Sequence, residues 1–413
     1  MSRRIAIVGA GQSGLPLAIS LLRRGHQVTL LSNRSAEQIR QGPVMSSQCM
    51  FASAVGIERA HDLDLWTGRC PPVEGIGLSV PHPASPGQKL IDFAARLEQP
   101  AFSVDQRLKM PVWMERFEQE GGRLVIGEVG IDELEDLAGS HELTVVASGK
   151  GRVGQLFERD AQRSPYASPQ RALALTYVHG MQPRTPFSRV CFNLIPGVGE
   201  YFVFPALTLS GACEIMVFEG LPGGPMDCWA EVKSPQEHLA RSLHLLDTFL
   251  PWEAQRCREV QLTDEQGTLA GQVTPTVRQP VGRLPSGRLV LAMGDAVVLN
   301  DPITGQGSNS ATRCFQFYLD AIVERETDEF DARWMQDTFD RYWSHAQHVV
   351  RWTNRLLAPP EDHVLALLTA AQDRPTIASE IVNNFDDPRR YFPWWFDAAE
   401  GHRFIGEHMA MAA

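Results

Sequence analysis

The feature that most constrains the fold of this chain is the pattern of its first thirty residues. Ile5 to Val8 form a short apolar run typical of a buried parallel strand, and three glycines follow it in G-x-G-x-x-G spacing, at Gly9, Gly11 and Gly14. Leu15 to Leu22 then continue with helical periodicity, and Val28 to Leu31 give a second strand. This pattern predicts a βαβ unit that binds the pyrophosphate of a dinucleotide at its glycine turn and helix N-terminus.

The end of the second strand departs from the usual form of this unit. An acidic residue is expected there to bind the ribose of the dinucleotide, but the strand ends in Ser32, Asn33 and Arg34. The Asn33 amide can still bond a ribose hydroxyl, and Arg34 favours a phosphate. The first motif alone therefore leaves FAD, NAD and NADP open.

A second loop–helix pattern lies near residue 300. An apolar strand over Leu289 to Ala292 is followed by Gly294 and Asp295, then by a Pro/Gly-rich loop over 301–309 and a helix from Ser310 to Ile322. The aspartate would accept a hydrogen bond from a polyol hydroxyl, and the loop amides would face the far end of an extended phosphorylated ligand. The alternative is a solvent loop in which glycine and proline only shape turns.

This second pattern resembles that of FAD-dependent monooxygenases with the p-hydroxybenzoate hydroxylase type of fold. The matching positions are Gly294, Asp295, Pro302, Gly305 and Gly307. More narrowly, the chain resembles the oxygenase component of styrene and indole monooxygenases over nearly its whole length. The further motifs that carry this resemblance lie at Val104–Leu108, Ser148–Lys150, Phe157–Asp160, Ser164–Leu173, Asp301–Asn309 and Arg351–Asn354.

The resemblance implies an α/β architecture in which a Rossmann-type FAD domain is interleaved with a mixed-sheet substrate domain. We expect the FAD domain over residues 1–42, 101–165 and 276–325, the substrate domain over 43–100 and 166–275, and C-terminal helices over 326–413. Alternating hydrophobicity in Tyr201 to Leu209 and in Cys213 to Phe218 predicts strands of the mixed sheet.

The resemblance also implies which residues bind the cofactor, FAD. They are Gly9, Gly11, Gly14, Asn33, Arg34, Arg107, Gly294, Asp295, Pro302, Gly305, Gly307 and Asn309. Arg107 matches a family arginine that compensates phosphate or flavin charge, and its alternative is a surface salt bridge. The styrene branch carries another arginine where Pro43 stands here, and whether Arg40 replaces it is left open.

The chain lacks the sequence features of a flavoprotein that reduces its own flavin. The D-G-x-x-S-x-x-R element of single-component hydroxylases is lost over Val145 to Arg152, where Ser148 stands in place of the aspartate, and no second G-x-G-x-x-G follows a strand. We therefore expect reduced FAD to come from a separate NADH-dependent flavin reductase. As the resemblance implies, reduced FAD and O2 would form a C4a-hydroperoxyflavin that epoxidises an electron-rich double bond, with no acid–base residue and no metal required from the protein.

The expected substrate pocket also rests on the resemblance. Ser46, Gln48 and Met50 match the S-x-Q-x-M pattern of the indole-preferring branch, rather than the N-x-V-x-H of the styrene-preferring branch. Val73, Ile76 and Ala101 stand where the styrene branch tends to have Tyr, His and Ser, and Pro302 completes the predicted set. Apolar side chains can pack a flat bicycle while Ser46 or Gln48 bonds the indole N–H, although each can also be a packing residue.

These observations predict epoxidation of indole toward indoxyl and indigo, with styrene epoxidation and sulfoxidation as side activities. The alternatives are a monooxygenase whose main substrate is styrene, and a non-catalytic FAD carrier or sensor. A flavin-dependent halogenase is disfavoured because the W-x-W-x-I-P motif is missing from the sequence.

Composition limits the partners of the chain. A net charge of −11 over 413 residues, without a Lys/Arg-rich block, disfavours nucleic acids and anionic membranes as partners. Seven scattered cysteines without a C-x-x-C pair fit free thiols in a reducing compartment, so we expect a cytoplasmic protein. The tryptophans of the C-terminal tail are expected to cap the core or to form a homodimer contact.

Overall fold

The computed structural model describes residues 2–85, 87–149 and 152–410. The strands are β1 (Arg4–Val8), β2 (Gln27–Ser32), β3 (Pro72–Pro81), β4 (Lys89–Phe102), β5 (Arg123–Ile126), β6 (Leu143–Val146), β7 (Ala172–His179), β8 (Arg189–Ile195), β9 (Gly199–Thr208), β10 (Gly211–Gly220), β11 (Gln261–Leu262), β12 (Thr268–Gln272), β13 (Thr276–Val277), β14 (Val281–Arg283), β15 (Leu289–Ala292) and β16 (Val298–Leu299).

The α-helices follow the same chain order. They are α1 (Gly14–Leu22), α2 (Ala36–Gln41), α3 (Ala52–Ala60), α4 (Gln106–Gln119), α5 (Ile131–Ser140), α6 (Pro235–Phe249), α7 (Pro251–Ala254), α8 (Gly307–Glu324), α9 (Ala332–Leu356), α10 (Asp362–Asp373), α11 (Pro375–Asn383) and α12 (Ala398–Ala410). Across the described ranges, no helix combines the length and the apolar character needed to cross a membrane.

The N-terminal βαβ unit forms the centre of a six-stranded sheet. Its strand order is β14-β15-β6-β1-β2-β5, and all neighbours are parallel except β14 and β15. Ile5, Ala6 and Ile7 are fully buried, as expected for a strand that is covered on both faces. The predicted strands β1, β2 and β15 and the predicted helices α1 and α8 are confirmed.

A second, eight-stranded sheet has the order β11-β7-β10-β9-β8-β3-β4, and β12 also pairs with β7. Its neighbours are antiparallel except β3 and β8, so the sheet is mixed, as the alternation in β9 and β10 predicted. One face packs on α6, where Leu245 and Leu246 are buried against Val178 and Phe218. The opposite face looks toward the loop after β15 and toward the C-terminal helices.

The C-terminal helices close this second face with aromatic side chains. Trp352 of α9 stacks on Tyr391 at 4.6 Å between ring centroids, and Phe385 lies edge-on to Trp352 at 4.8 Å. Trp352, Trp394 and Trp395 are buried in the same apolar cluster as Val73 and Ile76 of β3. The prediction that tail tryptophans cap the core is therefore confirmed for these three residues.

Candidate functional site

The first glycine loop has the geometry that a pyrophosphate requires. Gly9 has φ +118°, and a Cβ there would lie 2.9 Å from the backbone of Ala147, so the loop packs directly on the end of β6. A Cβ on Gly14 would lie 2.0 Å from the Gly9 carbonyl oxygen, which fixes α1 against the turn. A Cβ on Gly11 would meet nothing within 4 Å. The loop is therefore packed against the protein on one side and open beside Gly11. There the first-turn amides of α1 can donate hydrogen bonds to phosphate oxygens.

Asn33 and Arg34 directly follow the last residue of β2, Ser32. The Asn33 amide donates to the Glu128 carboxylate at 3.4 Å, and an Arg34 guanidinium nitrogen lies 2.9 Å from the Met45 sulfur. Glu128 follows β5, which pairs with β2 in parallel. The Glu128 carboxylate therefore lies near the end of β2, where an acidic residue was expected. It belongs to the loop after β5, so the βαβ pattern could not identify it.

The second loop closes against the first. Gly294 has φ +59°, and a Cβ there would lie 2.6 Å from the Ser13 hydroxyl oxygen. Asp295 is therefore carried to the N-terminal end of α1, and a Cβ on Gly149 would come within 2.9 Å of the Asp295 backbone. The Asp295 carbonyl accepts a hydrogen bond from Arg278 at 3.4 Å. The two glycine-dependent contacts bring both predicted flavin-binding loops to one edge of the six-stranded sheet.

The loop over 301–307, which we call the flavin loop, also leaves open space beside its glycines. Pro302–Thr304 form one 3-10 turn that ends at Gly305, where φ is +65° and the amide donates to the Pro302 carbonyl at 2.7 Å. A Cβ on Gly305 or on Gly307 would meet nothing within 4 Å. Gly307 begins α8, whose first-turn amides have no partner within the helix. The open cradles at Gly11, Gly305 and Gly307 fit an extended dinucleotide such as FAD.

The side chains of Asn309 and Gln12 hydrogen-bond to other residues of the protein. The Asn309 amide donates to the Cys49 and Gly305 carbonyls at 2.9 and 3.0 Å and accepts from the Phe51 amide at 2.9 Å, so it ties the flavin loop to the segment before α3. Gln12 donates to Glu58 at 2.6 Å and to Thr312 at 2.9 Å. The side chain of Asn309, which the sequence assigned to the cofactor, is thus engaged by backbone groups.

The R-W-T-N motif, which has no evident role in the sequence, contacts the flavin loop, and the F-E-R-D motif holds the segment beside it. The Thr353 hydroxyl of the R-W-T-N motif bonds the Thr304 hydroxyl at 2.8 Å, and the Asn354 carbonyl accepts from the Tyr166 hydroxyl at 3.0 Å. Arg159, in the F-E-R-D motif, donates to the carbonyls of Ser164 and Tyr166. The R-W-T-N motif therefore joins α9 to the flavin loop and to the segment before β7, and Arg159 holds that segment.

Three of the predicted pocket residues lie together. Val73, Ile76 and Ala101 are at most 2% exposed and share one apolar cluster with Ile303 of the flavin loop. Val73 pairs with Ala101, and the register between β3 and β4 shifts after Val73. This irregularity allows Val73 and Ile76, three positions apart, to serve the same core. Pro302 is half-buried and adjoins Ile303 in the flavin loop.

The other predicted pocket residues divide between two places. The Ser46 hydroxyl donates to the Gln48 side-chain oxygen at 3.1 Å, and the Gln48 amide donates to the Val104 carbonyl. Met50 points elsewhere: its sulfur lies 3.2 Å from the Lys109 ammonium, beside the buried Glu58. The structure therefore does not bring Met50 to the Val73 cluster, because residues alternate in direction and Cys49 and Phe51 occupy that side instead.

Lys109 and Glu58 form a buried ion pair behind the first glycine loop. Their side chains are 4% exposed, their charged atoms are 2.5 Å apart, and the ammonium lies 4.6 Å from the Trp113 ring centroid. Burial raises the pKa of Glu58, against the opposing effect of Lys109. Since Gln12 also donates to Glu58, this pair supports the loop from below.

Arg107 lies in a buried cluster of charged side chains. The guanidinium is 1% exposed and bonds two carboxylates, Asp105 at 2.8 Å and Asp264 at 2.9 Å, as well as the Thr208 hydroxyl at 3.2 Å. Burial opposes the charge, but the bonds to Asp264 and Asp105 outweigh it and raise the pKa of Arg107. Arg107 therefore does not form a surface salt bridge, and its guanidinium neutralises two carboxylates of the chain. Its compensation of phosphate or flavin charge stays a prediction.

Arg40 is committed to acidic partners as well. It pairs with Glu37 at 3.0 Å and with Glu115 at 2.6 Å, between α2 and α4. These contacts give no indication that Arg40 replaces the family arginine expected where Pro43 stands.

Solved structures show what class of protein this fold defines. The flavin-dependent brominase Bmp2 aligns with a TM-score of 0.68 at 13% identity, with 100% of both chains covered. The p-nitrophenol 4-monooxygenase PnpA from Pseudomonas putida aligns with a TM-score of 0.63 at 12% identity, covering 98% of this chain and 97% of that one. The predicted p-hydroxybenzoate hydroxylase-like α/β fold is confirmed. The chain therefore has the fold of flavin-dependent monooxygenases and halogenases.

Sequence comparison narrows this class. Two proteins named styrene monooxygenase StyA, from Pseudomonas fluorescens and from a Pseudomonas species, are each 29% identical over 401 residues, which is 94% of this chain and 94% of each relative. A family profile described as "Styrene monooxygenase A putative substrate binding domain" matches residues 149–256. The chain is therefore similar to styrene monooxygenases along most of its length, including the eight-stranded sheet.

Proposed function

We propose that this chain is the FAD-dependent oxygenase of a two-component system and that it epoxidises indole with reduced FAD from a separate NADH-dependent reductase. The observation that carries the proposal is the similarity to StyA over 94% of both chains, together with two glycine loops that fit FAD. We further propose that the division into FAD domain, substrate domain and C-terminal helices follows the boundaries expected from the sequence.

The chemistry divides between cofactor and chain. FAD, when bound and reduced, supplies the oxygen-transferring chemistry with O2. The chain contributes position and exclusion of water: Val73, Ile76 and Ala101 form a dry apolar wall that meets the flavin loop at Ile303. These side chains are at most 2% exposed, so a flat aromatic substrate contacts them against this loop only after neighbouring side chains move; the wall then offers no polar group that competes for the substrate.

The polar side chains of segment 46–48 favour indole over styrene as the substrate. Indole carries an N–H that styrene lacks, and a buried N–H requires an acceptor. The Gln48 amide is committed to the Val104 carbonyl, and its oxygen receives the Ser46 hydroxyl. The Ser46 hydroxyl oxygen retains a lone pair, so Ser46 is the residue that we assign to the indole N–H. The sequence of segment 46–50 matches the indole-preferring branch, whereas Met50 contributes to the loop support rather than to this wall.

The decisive experiment supplies reduced FAD without any reductase. The protein, photochemically reduced FAD, O2 and catalase are mixed with indole or with styrene in separate reactions, and products are quantified by chromatography. Indigo formation with a higher rate on indole than on styrene supports the proposal. A higher rate on styrene supports the alternative that styrene is the main substrate, and FAD binding without product from either compound supports the carrier or sensor.

A second measurement tests the two-component arrangement. The protein with oxidised FAD, NADH and indole should show no NADH oxidation above the background of free flavin, and addition of an unrelated NADH:flavin reductase should start indigo formation. NADH oxidation by the purified protein alone would contradict the requirement for a separate reductase.

A further inference from the structure

Glu219 is a buried acid beneath the flavin loop for which the site described above has no role. It lies on β10 and is 0% exposed. Within the described ranges, neither of its carboxyl oxygens meets a hydrogen-bond donor. Its carboxyl group interacts with that of Asp301, the residue that begins the flavin loop, and Asp301 Oδ2 likewise meets no donor among the described residues. Burying an ionised carboxylate without a hydrogen-bond partner costs free energy, so Glu219 requires a hydrogen bond with Asp301.

The pair of carboxyl groups can bond only if it holds a proton. The Asp301 carboxyl is also 0% exposed; its Oδ1 accepts from the Ile303 amide at 3.1 Å, which leaves Oδ2 for Glu219. Two ionised carboxylates in contact repel each other, whereas one protonated and one ionised group form a short, charge-assisted hydrogen bond. In this geometry the Glu219 hydroxyl donates to Asp301 Oδ2.

The charges around the pair favour retention of the proton between Glu219 and Asp301. Glu200 of β9 stands directly opposite Glu219 in the antiparallel register, and it binds Arg171 through two bonds of 2.6 and 2.9 Å. Arg171, at the start of β7, is thereby committed to Glu200. Burial raises the pKa of Glu219 and that of Asp301, and the charge of Glu200 acts in the same direction on both. Arg171 opposes this effect at both groups, and the hydrogen bonds from the Ile303 amide and from Glu219 oppose it at Asp301.

One further titratable group faces the pair from outside the sheet. Tyr166, in the segment before β7, senses the charge of Asp301 and donates its hydroxyl to the Asn354 carbonyl at 3.0 Å, and Arg355 of α9 lies near it. The pKa of Tyr166 is raised by burial, so this hydroxyl stays protonated. Three acids and one arginine thus meet beneath the loop, and the shared proton reduces their excess negative charge.

The pair joins the substrate-domain sheet to the turn that cradles the cofactor. We propose that Glu219 is a positioning residue that holds the flavin loop in its turn through a proton shared with Asp301, and that FAD binds tightly only while this proton is held. The inference rests on the assignment of residues 301–307 to the FAD site. It assigns a task to a residue that neither the glycine motifs nor the expected pocket includes.

The direction of the pH effect follows from the chemistry of the pair. Above the pKa of the pair, closing the loop would bring two ionised carboxylates into contact, so the turn that binds FAD becomes less populated. Because a ligand that binds one conformation has its apparent affinity reduced by that conformation's population, FAD affinity should fall as pH rises. Loss of one proton limits the slope to about tenfold per pH unit.

The test measures FAD affinity of the apoprotein by fluorescence titration between about pH 6 and about pH 9, below the titration of tyrosine and lysine side chains. The Glu219→Gln variant keeps a donor to Asp301 but carries no titrating proton, so its FAD affinity should be independent of pH. Glu259→Gln makes the same chemical change at an exposed position and should retain the pH dependence of the unmodified protein. Circular dichroism establishes that each variant is folded.

The outcomes separate this inference from the proposed function. A pH-independent FAD affinity in the unmodified protein, or an unchanged pH dependence in Glu219→Gln, overturns the role of the shared proton. Should Glu219→Gln fail to fold, Asp301→Asn provides the second variant, since its amide donates to Glu219 and should likewise flatten the profile; an unchanged slope there overturns the inference too. Absence of FAD binding at every pH contradicts the proposed function itself.

Discussion

The hydroxyl groups of Thr304 and Thr353 hydrogen-bond to each other at 2.8 Å, and both side chains are completely buried. Thr304 belongs to the turn of the flavin loop, whereas Thr353 belongs to α9, whose neighbouring Trp352 packs in the aromatic cluster of the C-terminal tail. This contact therefore links the flavin loop to the helices that close the apolar wall, as does the bond from the Gln306 amide to the Phe385 carbonyl at 2.7 Å. It gives the R-W-T-N motif a physical role in holding this loop.

The first prediction concerns this contact. Thr353→Val leaves the Thr304 hydroxyl buried without its partner, which costs about 1–3 kcal/mol. We expect weaker FAD binding and a lower free energy of unfolding, measured by fluorescence titration and by denaturant unfolding. Thr338→Val is the matched control on the same helix, because Thr338 is 1% exposed and its hydroxyl has no partner among the described residues. An equal loss in both variants would show that the Thr304–Thr353 bond is not the cause.

The second prediction concerns Gly11, beside which the first loop is open. An alanine Cβ there meets no protein atom within 4 Å, so Gly11→Ala should leave the free energy of unfolding of the apoprotein within about 0.5 kcal/mol. The added methyl group projects into the space assigned to the pyrophosphate, and FAD affinity should fall about tenfold or more, equivalent to about 1.4 kcal/mol.

The control for Gly11→Ala is Gly56→Ala, in α3, where an added Cβ also meets nothing within 4 Å. This variant should bind FAD like the unmodified protein and should be slightly more stable, because alanine favours helix. Unchanged FAD affinity in Gly11→Ala would move the pyrophosphate away from this loop.

The sequence predicted the parts of the site that depend on local pattern. Apolar periodicity and glycine turns predict the strand before each glycine loop and the helix after it. These elements are predictable because residues close in the sequence determine them. The direction of Met50 could not be predicted in this way. It depends on a bridge between Met50 and Phe102, which come from distant parts of the chain.

The same limit applies to the charged groups. Arg107 and Asp264 are 157 positions apart, and Glu219 meets Asp301 only because β10 passes beneath the flavin loop. Single-sequence motifs carry no information about such pairings, since either acid would be an unremarkable surface residue in another fold. The register shift that sets Val73 and Ile76 in one core is similarly a property of the β3–β4 pairing.

The third prediction tests the buried Arg107 cluster. Arg107→Met leaves Asp105, which is 0% exposed, without its charged partner, and removing one partner of a buried pair costs about 3–5 kcal/mol. We expect a large decrease in the free energy of unfolding of the apoprotein. Arg333→Met, at a side chain that is 91% exposed, should change stability by less than about 0.5 kcal/mol. A stable Arg107→Met apoprotein that has lost FAD affinity would instead assign Arg107 to flavin charge compensation.

The fourth prediction concerns the preference between indole and styrene. If the Ser46 hydroxyl accepts the indole N–H, Ser46→Ala removes a hydrogen bond that styrene never makes. A bond of about 1 kcal/mol corresponds to roughly a fivefold decrease in kcat/KM for indole, with kcat/KM for styrene unchanged. The ratio of the two values, measured in competition with both substrates in one reaction, is insensitive to differences in the fraction of active protein.

Ser47→Ala is the matched control for this change, because Ser47 adjoins Ser46 in the same half-buried segment. The Ser47→Ala variant should retain the preference of the unmodified protein. A decrease on both substrates in Ser46→Ala would assign Ser46 to the packing of the segment, where its carbonyl already accepts from the Tyr177 hydroxyl at 2.9 Å. A ratio that changes only in Ser46→Ala would place the polar end of the substrate beside Ser46.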